Sequence, residues 1–200
     1  MVLGIDLDNT IAIYDQVFIK YAYQIFGISH LNGKEEIANY LRNNDRKKDW
    51  TYLQGEVYGR YMQEAKVADY FIETISDRKL DSLKFEIVSH RTQLPSSGAK
   101  YNMHKIAKLW LEENLFLPLK NINDRDINVY FFESLDEKVQ FIKERNYIAF
   151  IDDLIDVLLS PGFPKDTQRI LYKSKDLSCE DIKIGIHGMS SWNNLMKILA

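Results

Sequence analysis

The residues that could do chemistry fall at the ends of apolar runs. Val2–Leu7 is short, apolar and β-branched, and it ends in Asp6-Leu7-Asp8-Asn9-Thr10. Phe85–Val88 runs into Ser89-His90-Arg91-Thr92, and Tyr147–Ile151 runs into Asp152-Asp153. Lys138 lies in the helical pattern just before that last run. Clustered carboxylates resist ionisation unless a cation neutralises them. Hard oxygen ligands in this number suit Mg²⁺, which is typically held by a few carboxylates plus substrate phosphate. A carboxylate can act as a nucleophile and form an aspartyl-phosphate. A second carboxylate two residues on can protonate the departing alkoxide and then activate water. Ser89 and nearby backbone N–H groups would hold phosphate oxygens, and Lys138 would supply further positive charge for phosphoryl transfer.

Scattered through the sequence, these groups need elements that gather them. Val2–Leu7, Phe85–Val88, Asn128–Phe132, Tyr147–Ile151 and Arg169–Tyr172 read as strands. Asn102–Asn114 and Leu135–Arg145 are helical in period, Leu154–Leu159 reads as a short helix after the acid pair, and Ser191 can cap a last helix through Leu199. Strands alternating with helices predict an α/β core, a three-layer Rossmann-like parallel sheet with helices on both faces. Ligands of such sheets bind at the carboxyl ends of the strands, where all the residues above would meet. The long stretch from Ile13 to Ser82 exceeds a simple crossover. Its apolar faces predict helices over Gln16–Phe26, Lys34–Arg42, Thr51–Glu64 and Lys66–Ile75. The expected organisation is a core of residues 1–12 and 83–200 with an inserted helical cap of residues 13–82.

In this order, the motifs resemble those of the haloacid dehalogenase (HAD) superfamily. Asp6-x-Asp8-x-Thr10 after a strand is similar to the first signature, and Ile87-Val88-Ser89 to the second. Lys138 resembles the third and Phe150-Ile151-Asp152-Asp153 the fourth. The resemblance implies Asp6 as nucleophile and metal ligand, and Asp8 as general acid and base whose backbone carbonyl also faces Mg²⁺. It implies Thr10 as a brace of the loop beside the phosphate, and Ser89 and Lys138 as phosphate-binding residues. Asp153 would ligate the metal directly and Asp152 would stand behind it, or the two would exchange places. Dehalogenases of the superfamily lack an acid at the position of Asp8, so the resemblance is to the phosphatase branch. The insert resembles the family's helical C1-type cap, which often closes over small substrates. Val88–Thr92, Ala107-x-x-Trp110-Leu111, Phe131–Ser134 and Phe150–Asp153 are also similar to a little-characterised group of small bacterial HAD-like hydrolases.

Other residues allow more than one role. Lys143 is a rival for Lys138 but sits too near the following strand to reach back. His90 is a candidate phosphate contact, or satisfies backbone groups; Arg91 would grip a second acidic group of a substrate. In Gln54–Tyr61 two glycines interrupt a helical pattern, reflecting close packing or a break, or a loop that presents Tyr58 and Arg60 to substrate. Trp50, Trp110 and Trp192 read as packing residues, His30, His104 and His187 are too scattered for a metal site, and Cys179 is read as inert.

Composition bounds the rest. A net charge of -3 gives no electrostatic reason to expect nucleic acid or an anionic membrane. The single cysteine excludes an intrachain disulfide and favours a reducing, cytoplasmic setting. Met1–Ile5 lacks the features of a signal peptide, and no run approaches the roughly 20 apolar residues of a membrane helix. The expected partner is a small phosphorylated metabolite. A nucleotide 5′-phosphatase, with Tyr52, Tyr58, Tyr61, Tyr70 or Phe71 stacking on a base, is an alternative. So are a phosphotransferase or mutase on the same fold and a non-catalytic binding protein. A signalling receiver is disfavoured because here the lysine precedes the acid pair and a large insert is present.

Overall fold

The computed structural model describes residues 1–122, 125–172 and 185–199, so Cys179 lies outside the described residues. The strands are β1 (Val2–Ile5), β2 (Ala12–Ile13), β3 (Lys66–Val67), β4 (Lys84–His90), β5 (Ile127–Phe132), β6 (Ala149–Asp152), β7 (Gln168–Tyr172) and β8 (Ile186–Met189). Six of them form one parallel sheet in the order β5-β4-β1-β6-β7-β8, and β2 pairs with β3 in a separate two-stranded sheet. The helices are α1 (Asp15–Phe26), α2 (Lys34–Asn43), α3 (Lys47–Tyr58), α4 (Phe71–Ile75), α5 (Met103–Leu111), α6 (Leu117–Lys120), α7 (Leu135–Arg145), α8 (Ile155–Leu158) and α9 (Leu195–Leu199).

The chain divides into a sheet unit, residues 1–12, 67–91 and 115–200, and a helical unit, residues 13–66 and 92–114. The helical unit overlaps the expected 13–82 insert from 13 to 66. Two segments differ. Residues 67–82 group with the sheet, and Thr92–Asn114, expected in the core, groups with the helices. The reason for the second lies in packing. Helix α5 lies against the turn at Met62–Glu64, and the Trp110 indole N–H donates to the Ala65 carbonyl at 3.0 Å.

In the sheet unit, β1 is flanked by β4 and β6, which together carry all the expected strand-end chemistry. Gly4 of β1 is there because Phe150 of β6 lies over it. A Cβ at Gly4 would stand 2.4 Å from the Phe150 ring. Phe150 belongs to a core with Val88, Ile142, Tyr147, Val157, Leu158, Phe163 and Ile186. Helix α7 packs on β4 and β5, and α8 on β6 and β7. The expected Lys66–Ile75 helix is instead β3, a turn and the short α4, which starts after Tyr70 in the left-handed region. Strand β8 was not foreseen: its Ile-His-Gly-Met buries only its two end residues and leaves no apolar run to read.

In the helical unit, α1, α2 and α3 pack against one another. The predicted Thr51–Glu64 helix begins earlier and stops at Tyr58, with a separate turn at Met62–Glu64. Gly55 and Gly59 mark where the segment 95–101 crowds α3. A Cβ on Gly55 would meet the Ser97 carbonyl at 2.8 Å, and one on Gly59 would meet the Tyr101 ring at 2.8 Å. Close packing and a helix break therefore both account for the two glycines.

Candidate active site

The site lies wholly in the sheet unit and is built from strand ends. Asp6 directly follows β1, and its N–H donates to the Ile151 carbonyl of β6 at 2.8 Å. The chain then turns sharply. Asn9 adopts a left-handed conformation, Ile11 and Ala12 N–H groups return to the Leu7 carbonyl, and the Trp192 indole donates to the Thr10 carbonyl at 3.2 Å. Thr10 is fully buried, and among the described residues its hydroxyl has no hydrogen-bond partner. This turn sets Asp6, Asp8 and Thr10 on one hydrogen-bonded loop.

Lys138 reaches the same edge because α7 starts where β5 ends. Ser134 and Glu137 form a reciprocal capping box that fixes the helix start. Lys138 therefore sits in the first turn, its ammonium donating to Asp6 Oδ1 at 2.6 Å and to Asp152 Oδ2 at 2.7 Å. It is 1% exposed, whereas Lys143, further along the helix, is exposed. Burial alone would push the Lys138 ammonium down, but Asp152 and Asp6 outweigh it and hold it above the ordinary lysine value.

Asp152 ends β6 fully buried. Its Oδ1 accepts from Leu154 N–H at 2.9 Å, so both oxygens are engaged. Asp153 follows, half-buried. Asp6, Asp152 and Asp153 each offer a carboxylate oxygen within 4.8 Å of the others. Burial, and then the charges of Asp152, Asp153 and Asp8, raise the Asp6 carboxyl well above the usual carboxylate range against the pull of Lys138. The donor set fits Mg²⁺: hard oxygens only, clustered, and strained by their own charge.

Asp8 is held differently. The Arg91 guanidinium donates to both of its oxygens, from Nη2 to Oδ1 and from Nε to Oδ2 at 3.3 Å. Ser89 Oγ also lies 3.3 Å from Asp8 Oδ2 as donor. Arg91 is 3% exposed and Ser89 fully buried. Sequence reasoning placed Arg91 at this edge as a substrate contact and missed its pairing with Asp8. The signal was its spacing: Ser89 and Arg91 alternate with the exposed His90, so their side chains share one face of the strand end.

Six of the expected residues (Asp6, Asp8, Ser89, Lys138, Asp152 and Asp153) are thus joined by contacts or close carboxylates, with Thr10 on the same loop and His90 at the end of β4. Tyr58 and Arg60 belong to the helical unit. Tyr58 meets Tyr14 and Phe18 edge-on, at 4.9 and 5.6 Å between ring centres, and the Arg60 guanidinium lies over the Tyr61 ring. Tyr61 itself stacks on Tyr21, and Phe71 is buried against Trp192 in the sheet unit. Tyr58, Tyr61 and Phe71 thus each have an aromatic partner. All three tryptophans are buried, as expected of packing residues.

Comparison with solved structures decides the architecture. A HAD-superfamily hydrolase of subfamily IA, variant 1, from Geobacter sulfurreducens aligns over all of this chain and 96% of its own, with a TM-score of 0.54 and 10% identity. This chain has the HAD fold. A protein described as a "putative beta-phosphoglucomutase" from Thermotoga maritima aligns over 99% of this chain and 97% of its own, with a TM-score of 0.52 and 12% identity. At such identities the likeness to these HAD structures is one of fold. No family model and no curated protein matches the sequence. Among the described residues, no helix is long and apolar enough to cross a membrane.

Proposed function

We propose that the chain is a Mg²⁺-dependent phosphatase that hydrolyses a small phosphate monoester through an aspartyl-phosphate on Asp6. The observation that carries this reading is the buried Asp6–Lys138–Asp152 constellation with Asp153 beside it and Asp8 two residues on. Asp6, Asp153 and the Asp8 backbone carbonyl would hold Mg²⁺, with Asp152 locking Lys138 behind them. The ion, when bound, neutralises charge on the carboxylates and the phosphate.

The residues divide the work as follows. An Asp6 oxygen attacks phosphorus as the bond to the leaving oxygen breaks, and Asp8 gives that oxygen its proton. Asp8 then takes a proton from water, whose oxygen attacks phosphorus and frees the Asp6 carboxylate and inorganic phosphate. Lys138 and Ser89 steady the phosphoryl oxygens, with Thr10 bracing the loop and His90 at the rim. The fold likeness to a hydrolase and to a protein described as a mutase supports phosphoryl chemistry at this edge without choosing the acceptor.

The test is phosphate release from a panel of sugar, nucleoside and lipid-precursor phosphate monoesters, with Mg²⁺ and with excess EDTA, for wild type and Asp6→Asn. Release by wild type that is lost with EDTA and in Asp6→Asn supports the reading. Full turnover in EDTA, or in Asp6→Asn, would sink it.

A further inference from the structure

Arg91, paired with Asp8, is the strongest feature to which the proposed reaction gives no role. The backbone of Arg91 is anchored just past β4, where its N–H donates to the Phe132 carbonyl at the end of β5, at 3.0 Å. Its side chain is almost wholly enclosed, and two of its nitrogens address the two oxygens of one carboxylate. A planar guanidinium gripping both oxygens fixes the plane of a carboxylate as well as its position. Asp8 has need of this. It sits in a tight turn beside left-handed Asn9, and its side chain is about one-fifth exposed, at 19%. Ser89 touches the same Oδ2 that Arg91 holds through Nε, so the lock is built on the neighbouring strand end rather than on the turn itself.

We infer that Arg91 is a positioning residue that acts through Asp8, aiming its carboxylate at the leaving and attacking oxygens, and is not an anion clamp for a second acidic group of the substrate. The inference rests on the phosphatase reading. It separates two roles that a buried arginine at a phosphate site could have. A clamp on substrate sets KM. A lock on the acid–base group sets kcat, since both proton transfers need hydrogen-bond reach, and a misplacement of about 1 Å can cost roughly 100-fold.

The experiment is steady-state kinetics on para-nitrophenyl phosphate with Mg²⁺ for wild type, Asp6→Asn, Arg91→Lys, Arg91→Met, Asp8→Asn and Asp8→Asn/Arg91→Met. Thermal melts accompany each variant. Arg91→Lys keeps the charge and loses the fork, so it serves where Arg91→Met is too unstable to assay. The expected result is a kcat lowered about 100-fold in Arg91→Met and partly restored in Arg91→Lys, with KM changed by less than about threefold. In the Asp8→Asn background, adding Arg91→Met lowers the residual rate no further. A raised KM with kcat kept makes Arg91 a contact of the phosphate itself and overturns the inference, as does a further tenfold fall in the double variant. Wild-type turnover that is lost in Asp6→Asn but untouched by both Arg91 variants overturns the inference alone. No wild-type turnover with Mg²⁺, on this ester or on any of the panel above, overturns the phosphatase reading and the inference with it; where only a panel ester turns over, the same kinetics are read on that ester.

Discussion

Replacing Asp6 by asparagine removes the proposed nucleophile and should also make the metal-free protein more stable. The oxygens of Asp6, Asp152 and Asp153 lie within 4.8 Å of one another. At an effective dielectric constant of about 20, each such pair of unit charges repels by about 3.5 kcal/mol or more. Asp6 therefore meets about 7 kcal/mol of repulsion from the other two. Lys138, at 2.6 Å, attracts it by about 6 kcal/mol on the same scale. The two nearly cancel and leave the burial of an ionised carboxylate, which costs several kcal/mol, without compensation. Asparagine keeps an acceptor for Lys138 and carries no charge. We expect Asp6→Asn to gain about 2 kcal/mol in EDTA. At roughly 2–4 °C per kcal/mol for a chain of this size, the melting temperature should rise by about 4–8 °C. Mg²⁺ should stabilise wild type and leave the variant nearly unmoved. Thermal melts at neutral pH, with EDTA and with Mg²⁺, measure both effects. A variant that melts several degrees below wild type in EDTA would refute the reasoning, because the carboxylate would then be a net stabiliser of the fold and not a charge awaiting a cation.

Other outcomes follow from the same geometry. Lys138→Met strands two buried carboxylates and should cost about 3–5 kcal/mol in urea denaturation, along with activity. Because the Asp6 carboxyl is raised in the fold, protons compete with the metal there, so the Mg²⁺-induced rise in melting temperature should grow as pH increases through the range where Asp6 ionises. Without metal the sign reverses. The raised group binds protons more readily folded than unfolded, so its ionisation lowers wild-type stability as pH rises, and Asp6→Asn should show none of that slope. Gly55→Val should destabilise the chain by about 1–3 kcal/mol, because its side chain has only the Ser97 carbonyl and Pro95 to enter. Ser134→Ala removes half of the capping box and should cost about 1 kcal/mol in urea denaturation.

What could be read from the sequence was set by the strength of local pattern. Strands β1, β4, β5, β6 and β7 announced themselves as apolar runs, and the polar residues that end β1, β4 and β6 marked the edge where Asp6, Ser89, Asp152 and Asp153 lie. Lys138 was legible because helical period and reach fix which lysine of α7 lies in its first turn. Strand β8 was not legible, because Ile-His-Gly-Met offers no apolar run, with His187 and Gly188 between its two buried ends. The Lys66–Ile75 segment has an apolar face in either period, and only pairing with Ala12–Ile13 and the turn at Tyr70 break the helix. The grouping of Thr92–Asn114 with the helical unit depends on contacts between distant segments, such as Trp110 with Ala65, which no local pattern encodes. The grip of Arg91 on Asp8 is of the same kind. Both residue types were visible, but which anion an arginine meets is decided in three dimensions.

The central claim is that Asp6 takes up the phosphoryl group. The most direct measurement is to mix enzyme, Mg²⁺ and a turned-over phosphate monoester, quench in acid within a single turnover, and map phosphate by peptide mass. The account predicts a phosphate adduct on the peptide carrying Asp6, absent from Asp6→Asn and accumulating in Asp8→Asn if its release is slowed more than its formation. Turnover with phosphate released and no adduct on Asp6 in either wild type or Asp8→Asn would contradict it.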